Sequence, residues 1–590
     1  MAQERFELIS RPQAFVAGQY VTVQFRFTVG EAGLPRGSQL KFGLPSVGWG
    51  EPLVPHHRYW DLNPAESNRW LHYKRLNTTF DIHTQGQAFL RPFARQEQRR
   101  GETRCLQRWW VTFEVIEDDF LPGDIITLTY GDRSWGEAGA QVQPVVQKNA
   151  DFALCVVSPE GQVREVDGSP IWIDVQPGPP ERAFVRLPSV TPPGTDAQLR
   201  VYFTDRCGNP PAGKPPLLQP TLVRKGDVLR PTVDAPGLDV AHNPCLVAAD
   251  ALPIFWGDIH GKTNFSADGL APIDDYLAYA RDIAGADFTC VTDHSGCLRD
   301  TWIVTQQKAA EYTQDGSFVA LKGFEYSYAR GHRNVYFDNH RIEDPWPEKW
   351  LDLDGDRRFF SILRERKAEL VSIPHHTLVW TDWNVYDAEL EPVCEIYSMW
   401  GCSERTVAEG NTLWDKSCIP GGGAQAGLAR GYRFGFIAAS DTHSGYPGRQ
   451  YPDRYGFCFS YKAGLAAIRA PELTARALIA ALKARNCYGT TGARILLDFA
   501  VNGAPMGSEI RSAGPRRITG RVVGTDQISR IDIVRNNRDW RVLAPGTDDF
   551  TFDVVDEEES SGVVFYYARV TQADGEMAWG SPVWVEAVEG

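Results

Sequence analysis

The chain has 590 residues, and 61 Lys+Arg against 75 Asp+Glu leave a formal net charge of −14 with histidine neutral. With 43% hydrophobic and 23% charged residues, the composition is globular, which excludes general disorder and fibrous repeats, and the length corresponds to about three or four domains. The acidic balance, with no long Lys/Arg block, lacks the footprint of a protein that grips phosphate backbones, so nucleic acid is not an expected partner.

At the N-terminus, Glu4, Arg5, Glu7 and Arg11 fall where a signal peptide needs its apolar core. No run approaches the roughly 18 apolar residues that span a bilayer, so the sequence predicts a soluble, cytoplasmic chain with no membrane partner. Eleven cysteines, an odd number spread from Cys105 to Cys487 without a C-x-x-C, fit reduced thiols better than a disulfide framework or a zinc ribbon.

Up to about residue 250 the period is two. Val21, Val23, Phe25 and Phe27 alternate with Thr22, Gln24, Arg26 and Thr28, and Trp109, Val111, Phe113 and Val115 repeat the pattern before the turn Pro122-Gly123-Asp124. This predicts an N-terminal β-sandwich over 1–175. The Pro-rich Gln176-Pro177-Gly178-Pro179-Pro180 reads as a linker, and Ala197, Leu199, Val201 and Phe203 open a second small β unit over 176–250.

From 251 to 494 short apolar runs alternate with helical patterns. The predicted strands are Ile254–Gly257, Phe288–Thr292, Val319–Gly323, Val371–Pro374, Val393–Tyr397 and Phe434–Ala439. Pro272 opens a helix whose Ile273, Tyr276, Leu277, Ala280 and Ile283 share one face, and Leu473, Ala477, Leu478, Ala481 and Leu482 line another. Strand and helix in repeated alternation predict a parallel sheet closed into a TIM-like α/β barrel. Beyond 495 the strand period returns with Val564, Tyr566, Ala568 and Val570, which predicts a C-terminal β-sandwich over 495–590.

Seven of the twelve histidines lie between 260 and 443, and the ends of six predicted strands carry carboxylate or imidazole. These are Asp258-Ile259-His260, Thr292-Asp293-His294, Glu325, His375-His376, Glu395 and Ser440-Asp441-Thr442-His443. Strand ends that converge on one face build active sites, and mixed N/O donors suit Zn²⁺, Mn²⁺ or Fe²⁺. A single such residue is an ordinary cap or hydrogen-bonding group; six together predict a multinuclear metal centre. A P-loop is excluded because three residues, not four, separate Gly257 from Gly261-Lys262-Thr263, and no G-x-S-x-G supports a serine nucleophile.

These segments resemble the polymerase and histidinol phosphatase (PHP) superfamily of metallohydrolases. The resemblance rests on Gly257-Asp258-Ile259-His260-Gly261-Lys262-Thr263, Ser266-Ala267-Asp268-Gly269, Val291-Thr292-Asp293-His294, Gly323-Phe324-Glu325, Pro374-His375-His376 and Ser440-Asp441-Thr442-His443. It is nearest to the long bacterial branch known as domain of unknown function 3604, whose outer regions are similar to Tyr130-Gly131-Asp132-Arg133-Ser134 and Cys487-Tyr488-Gly489-Thr490-Thr491-Gly492. It extends over nearly the whole chain, with its specific motifs between 257 and 443.

The resemblance implies a distorted seven-stranded (β/α) barrel and two or three divalent transition metals. His260 with Asp441 would hold one metal, Glu325 would bridge to a second held by His332 and His375, and Asp268, His294 and His443 would hold a third. Asp258 and Asp293 would orient imidazoles. His376 replaces His375 if the register slips by one, and the family's Ser-Asp-Gly reads Ser-Ala-Asp-Gly here.

The family's first motif is His-x-His, whereas this chain has Lys262 at its second position. An ammonium has no lone pair for a metal, so the first metal site is open to being depleted, displaced or absent. Lys262 then holds an anionic substrate group, ligates in a neutral or carboxylated form, or forms a salt bridge to Glu325 or Asp441.

Arg330 and Arg333 flank His332, and Arg449 follows His443, which predicts a small organic, anionic substrate. Tyr326, Tyr328, Trp380, Trp383, Tyr386, Tyr397 and Trp400 lie near the proposed ligands in sequence and serve a core or a pocket wall. The expected activity is metal-dependent hydrolysis, phosphoester first, then amide, ester or sulfate ester. Asp441, His443, His294, Lys262 and Arg333 form the expected catalytic set. A metal-stabilised binding protein is the alternative. Nothing in the sequence sets the oligomeric state, and His56-His57 reads as a surface pair.

Overall fold

The computed structural model describes residues 3–45, 52–53, 78–85, 89–98, 107–133, 138–266, 268–328, 331–342, 356–453 and 459–588. His56, His57, Cys105, Ser134, Ala267 and Arg330 lie outside the described residues. No helix among the described residues is long and apolar enough to cross a membrane.

The chain forms two units. The first comprises Met1–Pro179 and Asp205–Gly213, so the Pro-rich stretch coincides with its boundary. Strand Val23–Thr28 buries Val23, Phe25 and Phe27 and leaves Gln24, Arg26 and Thr28 half-buried, as alternation on a pleated strand requires. It sits in a five-stranded sheet, while Gln39–Gly43, Gln107–Glu117 and Gln147–Val157 belong to a seven-stranded one. Apolar side chains of both sheets, including Phe25, Phe42, Phe113, Leu128 and Phe152, make one core.

The second unit comprises Pro180–Thr204, Lys214–Asp453 and Cys458–Gly590 and carries the site. Its central elements are β1 (Ile254–Asp258), α1 (Ile273–Asp282), β2 (Phe288–Cys290), α2 (Trp302–Tyr312), β3 (Val319–Tyr328), β4 (Gly331–Phe337), α3 (Asp356–Arg364), β5 (Leu370–His375), β6 (Val393–Ser398), α4 (Ala424–Ala429), β7 (Gly435–Ala438), β8 (Leu465–Arg469), α5 (Ala475–Lys483) and β9 (Cys487–Thr490). Helix α1 starts after Pro272, which stands at the N-cap, one position before the first helical turn where the sequence placed it, and it buries Ile273, Tyr276, Leu277, Tyr279 and Ala280. The Thr474 hydroxyl caps α5 by accepting from the Ala477 N–H at 3.2 Å.

The expected (β/α) barrel, TIM-like or distorted and seven-stranded, is not what these elements form. Such a barrel needs a ring of parallel strands, each followed by a helix. Here β1, β2 and β3 run parallel, but β4 is antiparallel to β3, β5 is antiparallel to β4, and β8 is antiparallel to β1. β6 and β7 pair in parallel within a separate three-stranded sheet.

The physical reason is local. Only two positions separate β3 from β4, enough for a hairpin but not for the crossover that parallel pairing demands. The chain is mainly β, with five α-helices of 6 to 11 residues among the described residues. Strands after 495 continue the same sheet: β9 pairs with Met577–Gly580, which pairs with Val563–Gln572, which pairs with Arg516–Arg535. Apolar residues of β1 to β8, among them Phe288, Leu321, Tyr336, Ile373 and Ile468, pack on Leu478 and Leu482 of α5. This core holds the strand ends in place.

Candidate metal centre

Parallel bridges between Gly261 and Thr442 and between His294 and Glu325 draw the ends of β1, β2, β3 and β7 together. The Asp441 N–H donates to the His260 carbonyl at 2.8 Å. Asp441 and His376 both adopt left-handed backbone, φ +61° and +52°, an uncommon conformation for non-glycine residues that concentrates at functional sites.

Glu325 is the shared group. Its Oε1 accepts from the Ser327 hydroxyl at 2.6 Å and lies 3.1 Å from His332 Nδ1, 3.3 Å from His375 Nε2 and 3.7 Å from His294 Nδ1. Its Oε2 lies 3.2 Å from His260 Nε2 and accepts a hydrogen bond from Lys262 Nζ. Burial opposes its charge, yet Lys262, His375 and His294 hold it well below the usual carboxylate range.

His260 is fully buried. Its Nδ1 is 2.9 Å from Glu395 Oε2, and its Nε2 is 3.0 Å from Asp441 Oδ1. Asp441 Oδ2 accepts from Trp400 Nε1 at 2.8 Å and lies 2.9 Å from His376 Nε2. Burial, joined by the neighbouring His260, drives His375 toward the neutral form, and burial does the same to His376. Neutral imidazole is the form that offers a lone pair to a metal.

A separate set forms around Asp268, whose Oδ2 lies 3.2 Å from both His294 Nε2 and His443 Nε2. Burial works against the charge on Asp268, but the two histidines hold it well below the carboxylate range. Burial likewise opposes protonation of His443, which Asp268 and Asp441 nevertheless push up to about 9. Three groups thus bring ligand atoms within 4.8 Å of one another and can hold metal ions: His260, Glu325 and His375; His332, His375 and His376; Asp268, His294 and His443.

All the expected ligands lie in this region, His376 beside His375 rather than in its place. Lys262 is fully buried, donates from Nζ to Thr292 O at 2.8 Å and to Glu325, and lies 3.7 Å from Asp441 Oδ1. It is therefore a salt-bridged interior group with no surface to offer a substrate.

Arg333 is not part of the site. Neighbouring residues on a strand face opposite ways: His332 turns to Glu325, while the Arg333 guanidinium donates to Glu391 Oε1 at 2.7 Å and to Val385 O at 2.6 Å. Arg449 is likewise buried and donates to Asp453 Oδ1 at 2.9 Å.

Asp258 and Asp293 hold backbone instead of imidazole. Asp258 accepts from the Ser440 N–H at 2.9 Å and the Gly448 N–H at 2.6 Å, and burial pushes its carboxyl up to about 6 against those bonds. Asp293 accepts from the Thr263 N–H at 2.8 Å and the Thr263 hydroxyl at 2.6 Å.

Sequence reasoning missed three positioning groups. Ser327 was findable, since strand alternation puts it on the face of Glu325. Glu395 stood out as a strand-end carboxylate without a role, which its bond to His260 supplies. Asp453 had no local signal; it accepts from the Thr442 hydroxyl at 2.8 Å, the His443 N–H at 3.1 Å and the Ser444 hydroxyl at 2.8 Å.

On the outer side, Trp380 is 40% exposed and stacks on His332 with ring centroids 5.3 Å apart. The Phe459 ring lies 4.8 Å from that of His443. Tyr397 and Trp383 are core residues.

No family model matches the chain. It is 32% identical over 364 residues to an uncharacterized protein of Chlamydia muridarum, covering 56% of this chain and 57% of that one. It is also 32% identical over 368 residues to an uncharacterized protein of Chlamydia trachomatis serovar D, with the same coverage of 56% and 57%. The chain thus spans little more than half the length of these curated relatives. Among solved structures, it overlaps a cohesin module from a Clostridium perfringens family 33 glycoside hydrolase at a TM-score of 0.16 and 6% identity, covering 30% of this chain and 99% of that one. A beta-glucuronidase from glycoside hydrolase family 2 overlaps at a TM-score of 0.14 and 9% identity, covering 98% of this chain and 65% of that one.

Proposed function

We propose that this cluster binds divalent transition metals, Zn, Mn or Fe, and that the chain is a metal-dependent hydrolase of the PHP kind acting on a phosphoester of a small organic, anionic substrate. The observation that carries the reading is Glu325, one buried carboxylate within 3.7 Å of nitrogens from His260, His294, His332 and His375.

The donor set fits a metal on a second ground. Oδ1 of Asp268 and a ring nitrogen of His375 are buried without a hydrogen-bond partner. Each such atom costs about 1–3 kcal/mol if left unsatisfied, a cost that coordination offsets. Glu325, His332 and His375 would hold one ion, and Asp268, His294 and His443 another.

Bound metals of this type lower the pKa of water toward neutrality and polarise the bond under attack. The chain's own groups supply the rest. Glu395 fixes the His260 ring, Ser327 fixes Glu325, and Asp453 fixes the segment that carries His443. Proton movement falls to Asp441, whose Oδ2 is held by Trp400 and His376 and whose Oδ1 lies 3.0 Å from His260 Nε2. Trp380, half-exposed beside His332, provides an apolar wall for the organic part of the substrate.

The test combines elemental analysis of the purified chain with phosphate, sulfate, ester and amide substrates, each with and without metal. Metal-dependent turnover of a phosphoester is expected. Less than one bound metal after loading would overturn the metal reading. Full metal content with no turnover on the whole panel would leave a metal-stabilised binding protein.

A further inference from the structure

We propose that the Lys262 ammonium is a resident cation standing in the place of a metal ion, so that the centre takes up two divalent ions per chain and not three. The inference rests on the metal reading above and concerns how many ions that site holds.

Three atoms suited to a divalent cation converge beside β1: His260 Nε2, Glu325 Oε2 and Asp441 Oδ1. The nitrogen lies 3.2 Å from the glutamate oxygen and 3.0 Å from the aspartate oxygen. Ligands held roughly 2.1 Å from a zinc-like ion stand about 3.0–3.4 Å apart, and both of these spacings fall in that range. The Lys262 ammonium stands against this set, nearest to Glu325. Its Nζ is hydrogen-bonded to Glu325 Oε2, 3.4 Å from His260 Nε2 and 3.7 Å from Asp441 Oδ1.

The electrostatics run the same way. Glu325, Asp441 and Glu395 are all buried around His260, and buried carboxylates without a counter-charge are costly. Among the described residues, Arg333 and Arg449 turn to Glu391 and Asp453, which leaves Lys262 as the lysine or arginine that faces the cluster.

Lys262 is also anchored. Its N–H donates to Thr442 O at 2.7 Å, its Nζ donates to Thr292 O at 2.8 Å, and a Cβ placed on Gly269 would come within 3.1 Å of its own Cβ. A fixed ammonium repels a second cation at this point while it neutralises the same oxygens. The other two sets, around Glu325 with His332 and His375 and around Asp268, are left to load.

The test is metal content per chain after loading the full chain with Zn²⁺ or Mn²⁺ and desalting. Wild type and Lys262→Arg, which keeps the charge, should each hold two equivalents. Lys262→Ala and Lys262→His, which remove the fixed charge, should each gain about one. Three equivalents in the wild type, or no gain in either uncharged variant, would overturn the resident cation and leave the metal reading standing. Less than one equivalent in the wild type would overturn both. Should the alanine variant fail to fold, the wild-type count and the histidine variant decide the matter.

Discussion

Glu395 Oε2 lies 2.9 Å from Nδ1 of His260, and the opposite ring nitrogen of that histidine faces Glu325 and Asp441. One carboxylate from β6 thereby orients an imidazole from the end of β1 toward carboxylates from β3 and from the segment after β7. Four separate stretches of chain meet in that single contact set.

Glu395→Gln removes the charge from this contact and keeps its shape. A hydrogen bond to a charged group contributes about 1.5–3 kcal/mol, so kcat should fall by about 10–100-fold with metal content unchanged. Steady-state kinetics alongside elemental analysis checks this; a variant that loses metal instead would make His260 a ligand.

Glu325→Gln should be the most damaging substitution in the centre. The carboxylate faces four histidines and Lys262, and an amide leaves them short of one negative charge. We expect loss of at least one metal per chain and a fall in activity beyond the roughly 10–100-fold that follows loss of an orienting partner. Wild-type metal content in this variant would remove Glu325 from the centre.

Arg333→Met should act on stability and not on chemistry. It strands Glu391, which is fully buried against the guanidinium, and breaking a buried pair from one side costs about 3–5 kcal/mol. Chemical denaturation should register the loss, and adding Glu391→Gln should recover much of it. A large fall in kcat with undiminished stability would return Arg333 to the catalytic set.

Removing metal with a chelator should lower the melting temperature reversibly. Ions that bind only the native state stabilise it by about 4 kcal/mol at a thousandfold excess over Kd, and the buried atoms of His375 and Asp268 without hydrogen-bond partners lose their coordination when the ions leave. Differential scanning calorimetry before and after restoring metal tests this; an unchanged transition would count against metal at these residues.

Much of the second unit was legible in one dimension. All six strands expected between 254 and 439 form, because each apolar run is buried and short. The clustering of ligand-type residues was legible in part: β1, β2, β3 and β5 share one sheet, whereas Glu395 lies in, and Asp441 and His443 follow, the separate sheet of β6 and β7. What misled was the count of crossovers. Gly331–Phe337 was not among the expected strands, and it closes a hairpin with Val319–Tyr328 where the barrel expectation placed a crossover.

The sequence by itself determined which residues could do chemistry: their types, their order, and the lysine at position 262. It also determined the faces of α1 and α5, because helical periodicity is a property of neighbours a few residues apart. Only the tertiary structure decided the company each side chain keeps. Strand alternation sends Arg333 to Glu391 while His332 reaches Glu325, and the fold alone brings Asp453, ten residues past His443, back beneath it. Direction and partner depend on how strands pair across long separations, and that pairing follows from burying the shared core, which no local pattern encodes.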